Sequence, residues 1–154
     1  MKVRPTAVSS LNERYIRAGC PTTTVEELWS LASDDVDNVR RRVAENPRCP
    51  QELLTELAID ENPDVRIAVA ENPNTIELVK EQLARDESVD VRYSLAENPN
   101  LPISILDLLA EDENAYVAHR ARRTIRLLQP ADMAELKPRA GGQNYMTRDI
   151  KFRP

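Results

Sequence analysis

The chain has 154 residues, 41% of them apolar and 31% charged, with a formal charge of −5, so it has room for one continuous core and carries no surface-wide positive field for a polyanion. Aromatics at 4% and only three glycines argue against a sheet protein, which draws on both. No apolar run approaches bilayer-spanning length, and Lys2 and Arg4 are not followed by the apolar stretch of a secretory signal.

The tripeptide Glu-Asn-Pro occurs at Glu45-Asn46-Pro47, Glu71-Asn72-Pro73 and Glu97-Asn98-Pro99, in steps of 26 residues. An alanine precedes each (Ala44, Ala70, Ala96), and Val39-Arg40, Val65-Arg66 and Val91-Arg92 stand in the same register. Leu-Ala pairs at Leu31, Leu57, Leu83 and Leu109 keep the step, each followed by an aspartate at Asp34, Asp60, Asp86 or Asp112. Self-similarity at such a period is the signature of a repeat architecture.

Taken in chain order, residues 13–24 read as a degenerate half-repeat, with Arg14, Ala18 and Pro21 in register with Arg40, Ala44 and Pro47. Four repeats follow, at about 25–50, 51–76, 77–102 and 103–128, making one repeat domain over 1–129. Each holds two short helical segments. Gln51 to Ile59 sets Leu53, Leu54 and Leu57 on one face, and Asp64 to Glu71 sets Val65 and Val69 one turn apart. Asp64 and Asp90 are the expected N-caps of the second segments. Asn-Pro ends each of them, because the residue before proline is pushed out of the α region. Pro50 and Pro102 open the next segment, where a missing N–H costs nothing. In the last repeat Ala118 replaces the ladder arginine and Arg122 the alanine, as expected where one face meets water. Beyond Gln129 the register is gone, and 130–154 reads as a tail, either flexible or folded back, ending in Tyr145, Met146, Ile150 and Phe152 among Arg148, Lys151 and Arg153.

These columns resemble the leucine-rich repeat variant (LRV) family, over roughly Glu13 to Ile125. The resemblance implies an all-α, right-handed α-solenoid of alternating α and 3₁₀ helices with no β-sheet. Some members of that family carry an N-terminal iron–sulfur module with clustered cysteines. Cys20 and Cys49 offer no such cluster, so no cofactor is carried over.

The arginine column Arg40, Arg66, Arg92 has two readings: a phosphate-binding ladder, or ion pairs with Asp34, Asp60 and Asp86, or with Asp64 and Asp90. Every arginine has an aspartate in register, which favours the structural reading. Asn46, Asn72 and Asn98 read as helix terminators whose amides bond nearby backbone. The column Arg41, Ile67, Tyr93, His119 varies and points away from the core valines, so it is the candidate partner-binding surface, with partial burial against a neighbouring repeat as the rival reading. Trp29 stands in a polar column and is expected near the surface, covered by Tyr15 and Ile16. Arg120, Arg122, Arg123 and Arg126 form a basic cluster beside His119, without interleaved aromatics to stack bases. The lone histidine and the lack of metal-ligand spacing or a glycine-rich loop give catalysis no support. Two thiols without a framework suit a reducing cytoplasm. The expectation is a non-catalytic, cytoplasmic scaffold or adaptor that binds protein, needs no cofactor or metal, and does not enter membranes. Nucleic-acid binding through the C-terminal arginines is the alternative.

Overall fold

The computed structural model describes residues 10–128, all of whose regular structure is α-helical. The tail expected at 130–154 and the residues before Ser10 lie outside the described residues. The helices are α1 (Leu11–Gly19), α2 (Val25–Leu31), α3 (Asp37–Ala44), α4 (Gln51–Leu57), α5 (Pro63–Glu71), α6 (Glu77–Leu83), α7 (Val89–Glu97), α8 (Ile103–Ala110) and α9 (Ala115–Leu128). There is no strand among the described residues. The 3₁₀ helices that the family resemblance implied are not found there either. The short even-numbered segments close α-helical bonds, as from Leu54 N–H to the Pro50 carbonyl at 3.0 Å and from Ala58 N–H to Leu54 at 2.9 Å. The turn after them tightens, with Ile59 N–H bonding the Glu56 carbonyl and Asp60 N–H that of Leu57. So does the first turn of α6 and of α8, where Val79 N–H bonds the Ile76 carbonyl and Ile105 N–H that of Pro102.

Local chemistry sets the helix ends. Ser10 and Glu13 form a reciprocal capping box on α1, and the Thr24 hydroxyl accepts from Glu27 N–H at 3.3 Å on α2. Asp64 and Asp90 are not the N-caps. Helix α5 starts one residue earlier, at Pro63, with the Asn62 side chain capping Asp64 N–H at 2.8 Å, and α7 starts at Val89 after Ser88. Proline at the first helical position has its φ already set for the helix, which extends α5 forward and leaves Asp64 in the first turn, where its charge favours the helix dipole. At the other end Asn72, before Pro73, leaves the helix with ψ at 128°.

Helices of seven to nine residues are unstable alone. Here α1 packs on α3, α3 on α5, α5 on α7 and α7 on α9, while α2, α4, α6 and α8 each lie against the odd-numbered helices that flank them. One core runs the length of the described chain, through Leu28, Val43, Leu53, Leu54, Val69, Leu83, Leu95, Leu106, Leu109 and Val117. Each such side chain contributes about 1.5–3 kcal/mol by leaving water. Small residues sit where odd helices meet. Ala18, Ala44, Ala70 and Ala96 are buried, and the next position in that column is the exposed Arg122.

Candidate interaction surface

The arginine column is occupied inside the fold. Arg40 grips Asp60 with Nε at 2.7 Å and Nη2 at 2.9 Å, Arg66 grips Asp86 at 2.8 and 2.9 Å, and Arg92 grips Asp112 at 2.7 and 3.2 Å. The carboxylate partner therefore comes from 20 residues ahead, in the next sequence repeat. The aspartate six residues behind supplies only its backbone carbonyl, to Nη1, at 3.0 Å for Asp34 and 2.7 Å for Asp60 and Asp86. Asp34 instead faces Arg14 at 3.2 Å, and Asp112 completes a further rung that the sequence candidates omitted. Asp64 and Asp90 are exposed and take no part. Each aspartate also turns the chain, accepting a backbone N–H two residues on, as Asp60 does from Asn62 at 2.9 Å. Burial works to raise Asp60 and Asp112, but the facing guanidinium and that backbone N–H outweigh it and hold both below the usual carboxylate range.

The asparagine column ties the same units together in a way that differs from the expected local bonding. Only the carbonyl oxygen bonds locally, as from Arg48 N–H to Asn46 Oδ1 at 2.9 Å. The amide reaches back to the previous repeat. Asn46 Nδ2 donates to the carbonyls of Ala18 (2.7 Å) and Cys20 (3.1 Å), and Asn72 Nδ2 to those of Ala44 (2.6 Å) and Asn46 (3.0 Å). Asn98 is half-buried and accepts from Asn100 N–H at 2.9 Å. Thr124 stands at the next position of this column and takes over the cross-link, its hydroxyl donating to the Ala96 carbonyl at 2.6 Å. Its register with Asn98 was the available signal.

The variable column lies on the outward side of the odd-numbered helices. Ile67 and Tyr93 are half-buried and packed against the core, in line with the rival reading of partial burial; Arg41 is half-buried and His119 exposed. The exposed acids on either side of them are Asp64 and Glu71 on α5, and Asp90 and Glu97 on α7. Tyr15 holds the same register position on α1, an assignment the sequence reading did not make. Trp29 is half-buried against the core. Arg42 lies over the Tyr15 ring at 5.7 Å while bonding Glu45 at 2.8 Å, and Arg41 approaches Glu45 at 3.2 Å. Between α1 and α3 a cleft of about 320 Å³ is lined by Leu11, Asn12, Tyr15, Val36, Asn38 and Arg41.

At the other end Arg122, Arg123 and Arg126 are exposed, whereas Arg120 is half-buried and bound to Glu97 at 3.0 Å. No aromatic interleaves with them in the run itself, but on the helix Tyr116, 79% exposed, stands one turn from Arg120 and two from Arg123. A further row went unread. Asp35, Glu61, Glu87 and Glu113, each following a ladder aspartate, project into solvent with side chains 85–92% exposed.

Among the described residues no three His, Cys, Asp or Glu side chains are grouped to hold a metal ion, and no helix is long and apolar enough to cross a membrane. Burial pushes the Cys49 thiol up to about 12, while the Thr22 hydroxyl draws that of half-buried Cys20 down. No protein-family model, curated protein or solved structure matches the chain.

Proposed function

We propose that the chain is a non-catalytic, protein-binding scaffold of the cytoplasm, built as a right-handed solenoid of 26-residue units of the LRV type. The helix-on-helix order from α1 to α9 and the bonds recurring at the same sequence offsets support the solenoid reading. Two free thiols suit a reducing compartment. The observation that carries the binding role is the outward column Arg41, Ile67, Tyr93, His119. It varies from unit to unit while the columns around it are committed to packing and ladder bonds. Side chains that vary while the rest of a rigid scaffold repeats are where recognition is placed. Affinity capture from a nuclease-treated lysate, comparing the natural chain with an Ile67→Ala/Tyr93→Ala variant of unchanged helicity, tests it. Partners retained equally by both would overturn the assignment of this face.

A second reading has its own observation, Tyr116 exposed beside Arg123 on α9. An aromatic face with cations one or two turns away suits a stacked base and its phosphates. Binding to single-stranded RNA or DNA that weakens steeply with salt and with Tyr116→Ala is the expected mark of it. No binding at low salt removes this reading.

A further inference from the structure

The outward face of the odd helices is graded along its length, and the grading narrows the class of partner. At the α1 end is the cleft of about 320 Å³, its apolar walls Leu11, Tyr15 and Val36. Leu11 and Tyr15 are 49% and 38% exposed, so a partner side chain there would displace water from apolar surface. Of the acids beside the cleft, Glu45 is held by the cleft's own Arg41 and by Arg42, while Asp35, next to Val36, is 85% exposed and 3.8 Å from Arg14. Farther along the face, Asp64 and Glu71 on α5 and Asp90 on α7 are exposed and make no ion pair among the described residues. The half-buried Ile67 and Tyr93 lie between these carboxylates in register.

We propose, resting on the protein-binding reading above, that this face takes a short extended peptide with one bulky apolar anchor followed by cationic residues. The anchor fills the α1/α3 cleft and the cations meet Asp64 and Asp90. The spacing follows from the scaffold. Packed helices lie about 8–10 Å apart, and three residues of extended chain cover about 10 Å. The cleft lies between α1 and α3, so α5 is about one and a half spacings away and α7 one more, which takes about four and then about three residues and places cations four and seven positions after the anchor. The aliphatic stems of those cations cross Ile67 and Tyr93 before their charged ends reach the carboxylates.

The probe is a fluorescein-labelled peptide, Gly-Phe-Ser-Ser-Ser-Lys-Ser-Ser-Lys-Gly, titrated against the full chain at low ionic strength and followed by anisotropy. Saturable binding is expected, weakened about fivefold or more by Ala in place of Phe and about tenfold by Asp64→Lys/Asp90→Lys. The charge-swapped peptide, with Glu for both Lys, is expected to bind the double variant and not the natural chain, a rescue that loss of folding cannot mimic. The proposal is overturned if nothing saturates, if the double variant binds the Lys peptide as well as the natural chain does, or if the swapped pair fails to restore binding. Preference of the natural face for the Glu peptide, or for a single-stranded oligonucleotide, likewise overturns it in favour of an anionic partner. If lysate partners still depend on Ile67 and Tyr93 while the peptide series fails, the scaffold reading stands and only this partner chemistry falls.

Discussion

The Arg66 guanidinium is enclosed by the Asp86 carboxylate in front and the Asp60 carbonyl behind, with little water reaching either. Arg66→Ala would leave Asp86 buried without its counter-charge, at a cost of about 3–5 kcal/mol, to be read from urea unfolding. At the end rung the Arg14 side chain is 29% exposed but its partner Asp34 only 6%, so Arg14→Ala should cost less than the inner rung yet more than a surface pair, about 2–3 kcal/mol by the same assay. The ladder also sets the acid limit of stability. Asp60 and Asp112 titrate below their unfolded values in the native protein, so their contribution is complete above the ordinary carboxylate pKa of about 4 and is lost as pH falls through the native values. The melting temperature should therefore be insensitive to these groups above about pH 5 and drop steeply below about pH 4. The two thiols separate in the same residue-level way. Iodoacetamide at neutral pH should label Cys20 in the native protein and reach Cys49 only after unfolding, because Cys49 is buried and its thiolate is disfavoured.

Between helices, the asparagine amides and the Thr124 hydroxyl do for neighbouring repeats what backbone ladders do for sheets. Asn72→Ala would orphan the carbonyls of Ala44 and Asn46 in the interior and should destabilise by about 2–3 kcal/mol, while Thr124→Val should cost about 1 kcal/mol. At this scale the limits of sequence reasoning are also clearest. The helices themselves were legible, because prolines and Leu/Val spacing mark their ends and buried faces. The partner of each ladder arginine was not, since an aspartate stands both six residues behind and 20 residues ahead in every unit, and only the stacking of one unit on the next separates them. The depth of Ile67 and Tyr93 was hidden for a related reason. Helical periodicity gives the direction in which a side chain leaves its own helix, but how far the adjacent helix covers it depends on the small or large residues at their contact. Tyr116 was legible in principle, at helical spacing from the arginines, and was missed because the basic cluster was read as a contiguous run rather than as a face.

Among the described residues each helix packs mainly against its close neighbours in the chain order, so stability should be distributed unevenly along them. Native-state hydrogen exchange should find the slowest amides in α3, α5 and α7, which have an odd helix on both sides, and faster opening in α1, which has one. Graded protection of this kind, falling toward the α1 end, is the expected result. Uniform protection from α1 to α9 would instead mean that all the repeats unfold as one cooperative block. The two ends differ in another respect, since the column of buried alanines that lets odd helices approach closes with a solvent-facing arginine at position 122, and the ladder column closes with Ala118. A copy of the repeat added after Leu128 would meet a charge where it needs a small side chain, and would find no guanidinium for its own aspartate. A copy of residues 51–76 spliced in after residue 76 would meet the right column on both sides. The array can thus be lengthened in its middle, whereas the outer face of α9 lacks the alanine and the arginine that another unit would need.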